Sequence, residues 1–121
     1  MMKENVAQQK SFAFAVRIVK ICTYLQQEKK EYVLSKQLLR SGTSIGANIE
    51  ESIGGQSNKD FLSKISIAYK EARESIYWLK LLQASDYLNE NEVKSLINDA
   101  NELCKLLAKT ILTIKSRNAQ I

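Results

Sequence analysis

The chain has 121 residues, enough for one domain that buries roughly two thirds of the surface of its unfolded form. Hydrophobic residues make up 45% and charged residues 26%, a balance that argues against a disordered chain. Lys and Arg exceed Asp and Glu by 18 to 13, a formal charge of +5, and the lack of any histidine removes Ser-His-Asp and Cys-His catalysis and the Glu-x-x-His ligand pairs of di-metal bundles.

Proline is absent and all four glycines fall between Gly42 and Gly55, so long uninterrupted helices are expected. The first spans about residues 5–27, with Phe14, Ile18, Ile21 and Leu25 on one stripe and Ala15, Val19 and Cys22 beside it. After the charged break Glu28–Glu31, a second helix spans about 34–53. It carries Leu38, Ile45, Ile49 and Ile53 inward and ends at Gly54–Gly55, where glycine can take the left-handed conformation that closes a helix. Asn58 is a candidate N-cap for a third helix, about 59–84, with the stripe Phe61, Ile65, Ala68, Ala72, Ile76 and Leu79. Asn89, with Glu92 three residues on, reads as an Asn form of the capping box. It opens the last helix, about 90–116, whose stripe is Leu96, Ala100, Leu103, Leu107, Ile111 and Ile114. Helices of this length with short connections predict an all-α fold, an antiparallel up-down-up-down four-helix bundle forming one domain over residues 1–121.

Helices two and three each carry a second organised stripe. Gln37, Ser41, Ser44, Asn48 and Glu51 are spaced 4, 3, 4, 3, and so are Ile67, Glu71, Glu74, Trp78 and Leu81. If the two helices fold back at Gly54–Gly55, Arg40 comes level with Glu71 and Ser44 with Ile67. The shared surface then combines Arg40, Ser44, Asn48, Glu51, Ile67, Glu71, Glu74, Trp78 and Leu81. Small residues, an arginine and an aromatic in one patch fit a subunit interface; a solvated bundle edge is the plainer alternative. Gly42 and Gly46, four apart in a helix where each glycine costs roughly 1 kcal/mol relative to alanine, point to close helix approach. A phosphate cradle would need a lysine and a strand-loop-helix setting that are missing.

Both terminal helices are basic. Between Glu4 and Glu28 there are Lys10, Arg17 and Lys20 and no acid, and after Glu102 come Lys105, Lys109, Lys115 and Arg117, again with no acid. In the predicted topology Lys10 and Arg17 approach Lys109, Lys115 and Arg117 at one end of the bundle. Lys94, Asn98, Asn101, Lys105 and Lys109 share one exposed face of helix four. Lys10, Arg17, Lys94, Lys105, Lys109, Lys115 and Arg117 are therefore the candidate contacts to RNA or DNA phosphates, with a basic face kept for solubility as the alternative.

The segment RSGTSIGANIEE (residues 40–51), together with Phe61 and SIAYKEARE (residues 66–74), resembles the 23S ribosomal-RNA intervening-sequence proteins over nearly the whole chain. The resemblance implies a small antiparallel four-helix bundle assembling into a homo-oligomeric ring, typically a pentamer. A related accessory protein of diversity-generating retroelements, similar in fold, implies nucleic-acid binding and a reverse transcriptase as partner. For most members of the family the molecular role is unknown.

No catalytic, metal-binding or cofactor-binding residue is assigned. Cys22 and Cys104 sit in apolar helical surroundings and read as core thiols of a reducing compartment. The acidic pairs Glu50–Glu51 and Glu71/Glu74 read as salt-bridge partners. A polar start and no apolar run of the roughly 18 residues a membrane span needs make the cytoplasm the expected location. The expected function is that of a non-catalytic oligomer holding nucleic acid on basic helix faces. A protein-interaction scaffold with no nucleic-acid role is the alternative.

Overall fold

Four α-helices follow the apolar stripes of the sequence: α1 (Met2–Gln27), α2 (Leu34–Ile53), α3 (Asn58–Ala84) and α4 (Glu90–Ala119). The computed structural model describes residues 2–55 and 57–119, with side chains from 6–55 and 57–118, and there is no strand among them. The ends of the expected domain, Met1 and Ile121, lie outside the described residues. Each helix touches the next in sequence and α1 touches α4, so four neighbours enclose one core.

Helix directions follow from which residues meet. Gln8 bonds Glu50 and the Cys22 thiol bonds the Ser35 carbonyl, so α1 and α2 run oppositely. Arg40 meets Glu71 and Glu74 while Glu51 meets Lys64, which makes α2 and α3 antiparallel. Lys10 meets Glu102 and Arg17 meets Asp99, which does the same for α1 and α4. The core holds Phe14, Ile18, Leu25, Leu38, Ile45, Ile49, Leu79, Leu82, Leu96, Leu103 and Leu107, each essentially without solvent contact. Burial of each such side chain stabilises the fold by about 1.5–3 kcal/mol before entropy is counted. Two stripe assignments need correction. Val19 is 46% and Ile53 42% exposed, because each lies at the outer margin of its helix's apolar arc.

The caps also differ from expectation. Ser57 caps α3, its Oγ accepting from the Asp60 N–H at 3.1 Å, so Asn58 is the first helical residue and not the cap. Asn89 does cap α4, with Oδ1 accepting from the Glu92 N–H at 2.9 Å. Gly54 closes α2 with φ −83°, and no described glycine is left-handed. That conformation falls instead on Lys30 (φ 56°) and Asp86 (φ 65°). Around Asp86 the N–H of Tyr87 reaches the Leu82 carbonyl at 2.9 Å and that of Asp86 reaches Gln83 at 3.0 Å. This is a Schellman closure with aspartate where glycine is usual; Asp is among the few other residues that tolerate it.

The glycines serve close approach. A Cβ on Gly42 would lie 2.8 Å from both Cγ atoms of Ile18, and one on Gly46 would lie 3.3 Å from Ser11 Oγ. Both glycines therefore let α1 seat against α2, in line with the packing reading. At the turn, a Cβ on Gly55 would come within 3.1 Å of the Ser52 carbonyl.

The start of α2 is organised by a residue outside it. The Glu31 carboxylate, buried in the α1–α2 connection, accepts from the N–H groups of Val33 at 3.1 Å, Leu34 at 2.9 Å and Ser35 at 2.7 Å. These are the orphan donors that a helix start leaves unpaired. Burial works against the carboxylate, but the three backbone bonds and the Ser35 hydroxyl outweigh it and hold the Glu31 pKa below the usual value.

Candidate nucleic-acid interface and contact surfaces

Along α4 the residues Lys94, Asn98, Asn101, Lys105 and Lys109 are all exposed. They recur at intervals of three or four, so they form one line over about 22 Å of helix. Leu112, 69% exposed, continues that line, and Glu102, which pairs with Lys10, borders it between Asn98 and Lys105. Lys115 is exposed near its end.

The cations of α1 do not join this face. Lys10 Nζ lies 3.1 Å from Glu102 Oε1. Arg17 Nη1 lies 2.6 Å from Asp99 Oδ2, and its Nη2 donates to Ser95 Oγ at 3.0 Å. The expected cluster of Lys10 and Arg17 with Lys109, Lys115 and Arg117 therefore does not form. In the antiparallel register Arg17 is level with Asp99, some 27 Å of helix before Arg117. Arg117 in turn leaves the lysine line and helps line a cavity of about 420 Å3 at the end of the bundle where α2 turns into α3.

On the α2–α3 side the expected residues do come together, within a single chain. Arg40 Nη1 donates to Glu71 Oε1 at 2.6 Å and Nη2 donates to Glu74 Oε2. Trp78 Nε1 donates to the same Glu74 oxygen at 2.9 Å. The Trp78 hydrogen bond, then Arg40, hold the Glu74 carboxylate below its usual pKa against the opposing effect of partial burial. The bond to Glu74 chiefly, with Glu71 beside it, raises the Arg40 guanidinium. Asn48 Nδ2 donates to the Ser44 carbonyl and hydroxyl, each at 2.9 Å, and Glu51 pairs with Lys64 at 2.9 Å. Ser41 is fully buried, with its Oγ 3.0 Å from that of Ser75 across the helix pair, so part of the polar stripe lies between α2 and α3 and does not face outward. Ile67 is exposed and Leu81 half-buried. Tyr77, 58% exposed, stands edge-on to Trp78 with ring centroids 5.1 Å apart.

One surface had escaped the sequence reading. Phe12 is 72%, Val16 39% and Val19 46% exposed, on the outer side of α1. Their spacing of 4 and 3, extended by Thr23, is the same seam pattern that α2 and α3 carry. It was hidden because Val19 reads equally well as a flank of the core stripe.

Neither thiol is poised for chemistry. Burial first, and the Glu31 charge second, push the Cys22 thiol up to about 12. Burial also raises Cys104, against a lowering by Arg73. Both stay protonated near neutrality, unlike a reactive cysteine. Among the described residues no group of three or more His, Cys, Asp or Glu is placed to hold a metal ion, and no helix is long and apolar enough to cross a membrane.

Comparison with known proteins agrees with the fold and leaves the activity open. Among curated proteins none matches the chain. A solved structure, that of a protein of unknown function from the S23 ribosomal protein family of Bacteroides thetaiotaomicron, is 51% identical and superposes with a TM-score of 0.89. The similarity covers 90% of this chain and 97% of that one. The family model described as 23S rRNA-intervening sequence protein matches residues 3–109. Four helices, the 40–51 segment at the α1–α2–α3 contact and this match together place the chain in the family of 23S rRNA-intervening sequence proteins.

Proposed function

We propose that this protein is a non-catalytic helical bundle that associates with copies of itself and holds RNA or DNA by its phosphates along α4. The exposed line of Lys94, Asn98, Asn101, Lys105 and Lys109 carries the reading, with the bordering Glu102 matched by Lys10. Three ammonium groups on one rigid face can displace counterions from a nucleic-acid backbone, and the two asparagines add neutral donors between them. The face has no exposed aromatic to stack on bases, so the expected binding is insensitive to sequence. Repetition of the face around a homo-oligomer, a pentamer by family resemblance, would raise a weak contact to a useful avidity. The same resemblance supplies a reverse transcriptase as a candidate protein partner, and the cytoplasmic setting is carried over from the sequence pattern.

The test is a titration of mixed-sequence RNA and duplex DNA across a salt series. Three lysine–phosphate contacts per chain predict a log–log slope near −2 to −3 per engaged subunit. Charge reversal at Lys94, Lys105 and Lys109 together should abolish that slope, whereas Lys10→Gln, whose cation is already matched by Glu102, should leave it nearly unchanged. A scaffold role for protein partners is the second reading, favoured by the exposed Phe12–Val16–Val19 seam. Undetectable nucleic-acid binding at low salt would decide for it.

A further inference from the structure

We propose that the cavity at the α2–α3 end of the bundle is a binding site for an aliphatic carboxylate, with its head on Arg117 and its chain directed toward the core. The volume of about 420 Å3 lies in the range of small-molecule sites. All four helices contribute apolar wall, among them Ala7 of α1, Ile49 of α2, Phe61 and Ile65 of α3 and Leu107 of α4. A wall of this kind favours an apolar body.

The polar residues of the wall favour the same ligand. Ser52 Oγ donates to the Ile49 carbonyl at 2.6 Å, Thr110 Oγ1 to Leu106 at 3.0 Å and Thr113 Oγ1 to Lys109 at 2.9 Å. Each of these three hydroxyl protons is thus directed into its own helix, which leaves Ser57, Asn58 and Arg117 as the side-chain donors of the lining. The charged member of the lining is Arg117, and no Asp or Glu lines the cavity. Ser57 and Asn58 bring the positive end of the 27-residue α3 helix to the same region. A planar guanidinium recognises a carboxylate through two parallel hydrogen bonds. One anionic head on an otherwise apolar chain matches this combination, whereas a sugar or nucleotide would bring polar groups the wall does not answer.

The experiment titrates the full chain with decanoate, decanol and phosphatidylglycerol vesicles, following amide resonances by NMR. Decanoate should bind with a dissociation constant of about 100 µM. Shifts should concentrate in residues 49–65 and 107–117. Arg117→Gln should weaken decanoate about tenfold, to the level of decanol. Thr110→Leu, which fills the cavity from a half-buried position, should abolish binding while the thermal transition stays in place. Three results would each overturn the proposal: no decanoate binding at about 1 mM, equal affinity for decanol and decanoate, or unchanged affinity in Thr110→Leu. Binding to vesicles without binding of free decanoate would overturn it in favour of a membrane surface.

Discussion

Glu31 shows how one side chain can set both the start of a helix and the acid limit of the protein. Its carboxylate satisfies three backbone N–H groups at the beginning of α2, which has no side-chain cap from Val33. Because its folded-state pKa lies below the unfolded value, the stabilisation is fully present above about pH 4.5. It is lost as pH falls through the folded-state pKa. Glu31→Gln keeps the size but loses the charge and part of the accepting capacity. Its cost near neutrality should be about 1–2 kcal/mol, measured by urea denaturation. The gap between wild type and variant should close in acid, once pH has fallen below the lowered folded-state pKa and the wild-type carboxylate is protonated. A gap of equal size at both pH values would mean that packing, and not the charged cap, carries the effect. Nothing in the local pattern announces this role. The residue sits in a charged break that reads as solvent-facing, and only the turn at left-handed Lys30 carries it back over the helix end.

At the scale of elements, α1 and α2 approach through two glycines that look alike in sequence but differ in what faces them. A methyl group on Gly42 would press on two carbons of Ile18, a β-branched core side chain with no solvent contact and little freedom to turn aside. The helix-propensity gain of roughly 1 kcal/mol is then outweighed by overpacking, which typically costs about 1–3 kcal/mol. On Gly46 the same methyl meets the Ser11 hydroxyl at 3.3 Å, which a small shift accommodates. Gly42→Ala should therefore destabilise the bundle by up to about 2 kcal/mol, and Gly46→Ala should be neutral or mildly stabilising. Equal effects in chemical denaturation would contradict the difference in contacts. These elements also mark the boundary of what a sequence can tell. The helices and most core residues follow from a period of 3.6, and the lysine line of α4 needs only the same angle, since all its members lie on one helix. Arg40 with Glu71 and Glu74 was legible because a short turn couples the two helices. Lys10 and Arg17 were not, because their partners Glu102 and Asp99 lie some 80–90 residues on and depend on the register of α1 against α4. Val19 was misplaced for a related reason: a valine at the margin of an apolar arc reads equally as core or surface.

For the whole molecule, self-association turns on which surface still has something to gain from a second copy. The α2–α3 surface has settled most of its polar needs internally: Arg40, Glu71, Glu74 and Trp78 bond one another, and Asn48 bonds Ser44. Burying such a network against a partner yields little and costs desolvation. The outer face of α1 is the reverse. Phe12, Val16 and Val19 present apolar area to water at coiled-coil spacing, and each removal of such area from solvent is worth about 25 cal/mol per Å2. The proposed association should therefore depend more on α1 than on the residues first expected to carry it. Light scattering of the wild-type chain should give a multiple of 13.7 kDa at micromolar concentration. Phe12→Asp combined with Val16→Asp should return the mass to that of one chain. Arg40→Gln should leave the oligomer intact, because it disturbs only a bridge within one subunit. A wild-type mass of one chain across the concentration range would remove self-association and the avidity that the nucleic-acid reading draws on. A loss of the oligomer in Arg40→Gln, with the α1 variant unaffected, would move the interface to the α2–α3 side. In that case the Arg40–Glu74–Trp78 network would be the geometry of a subunit contact, held ready in the isolated chain.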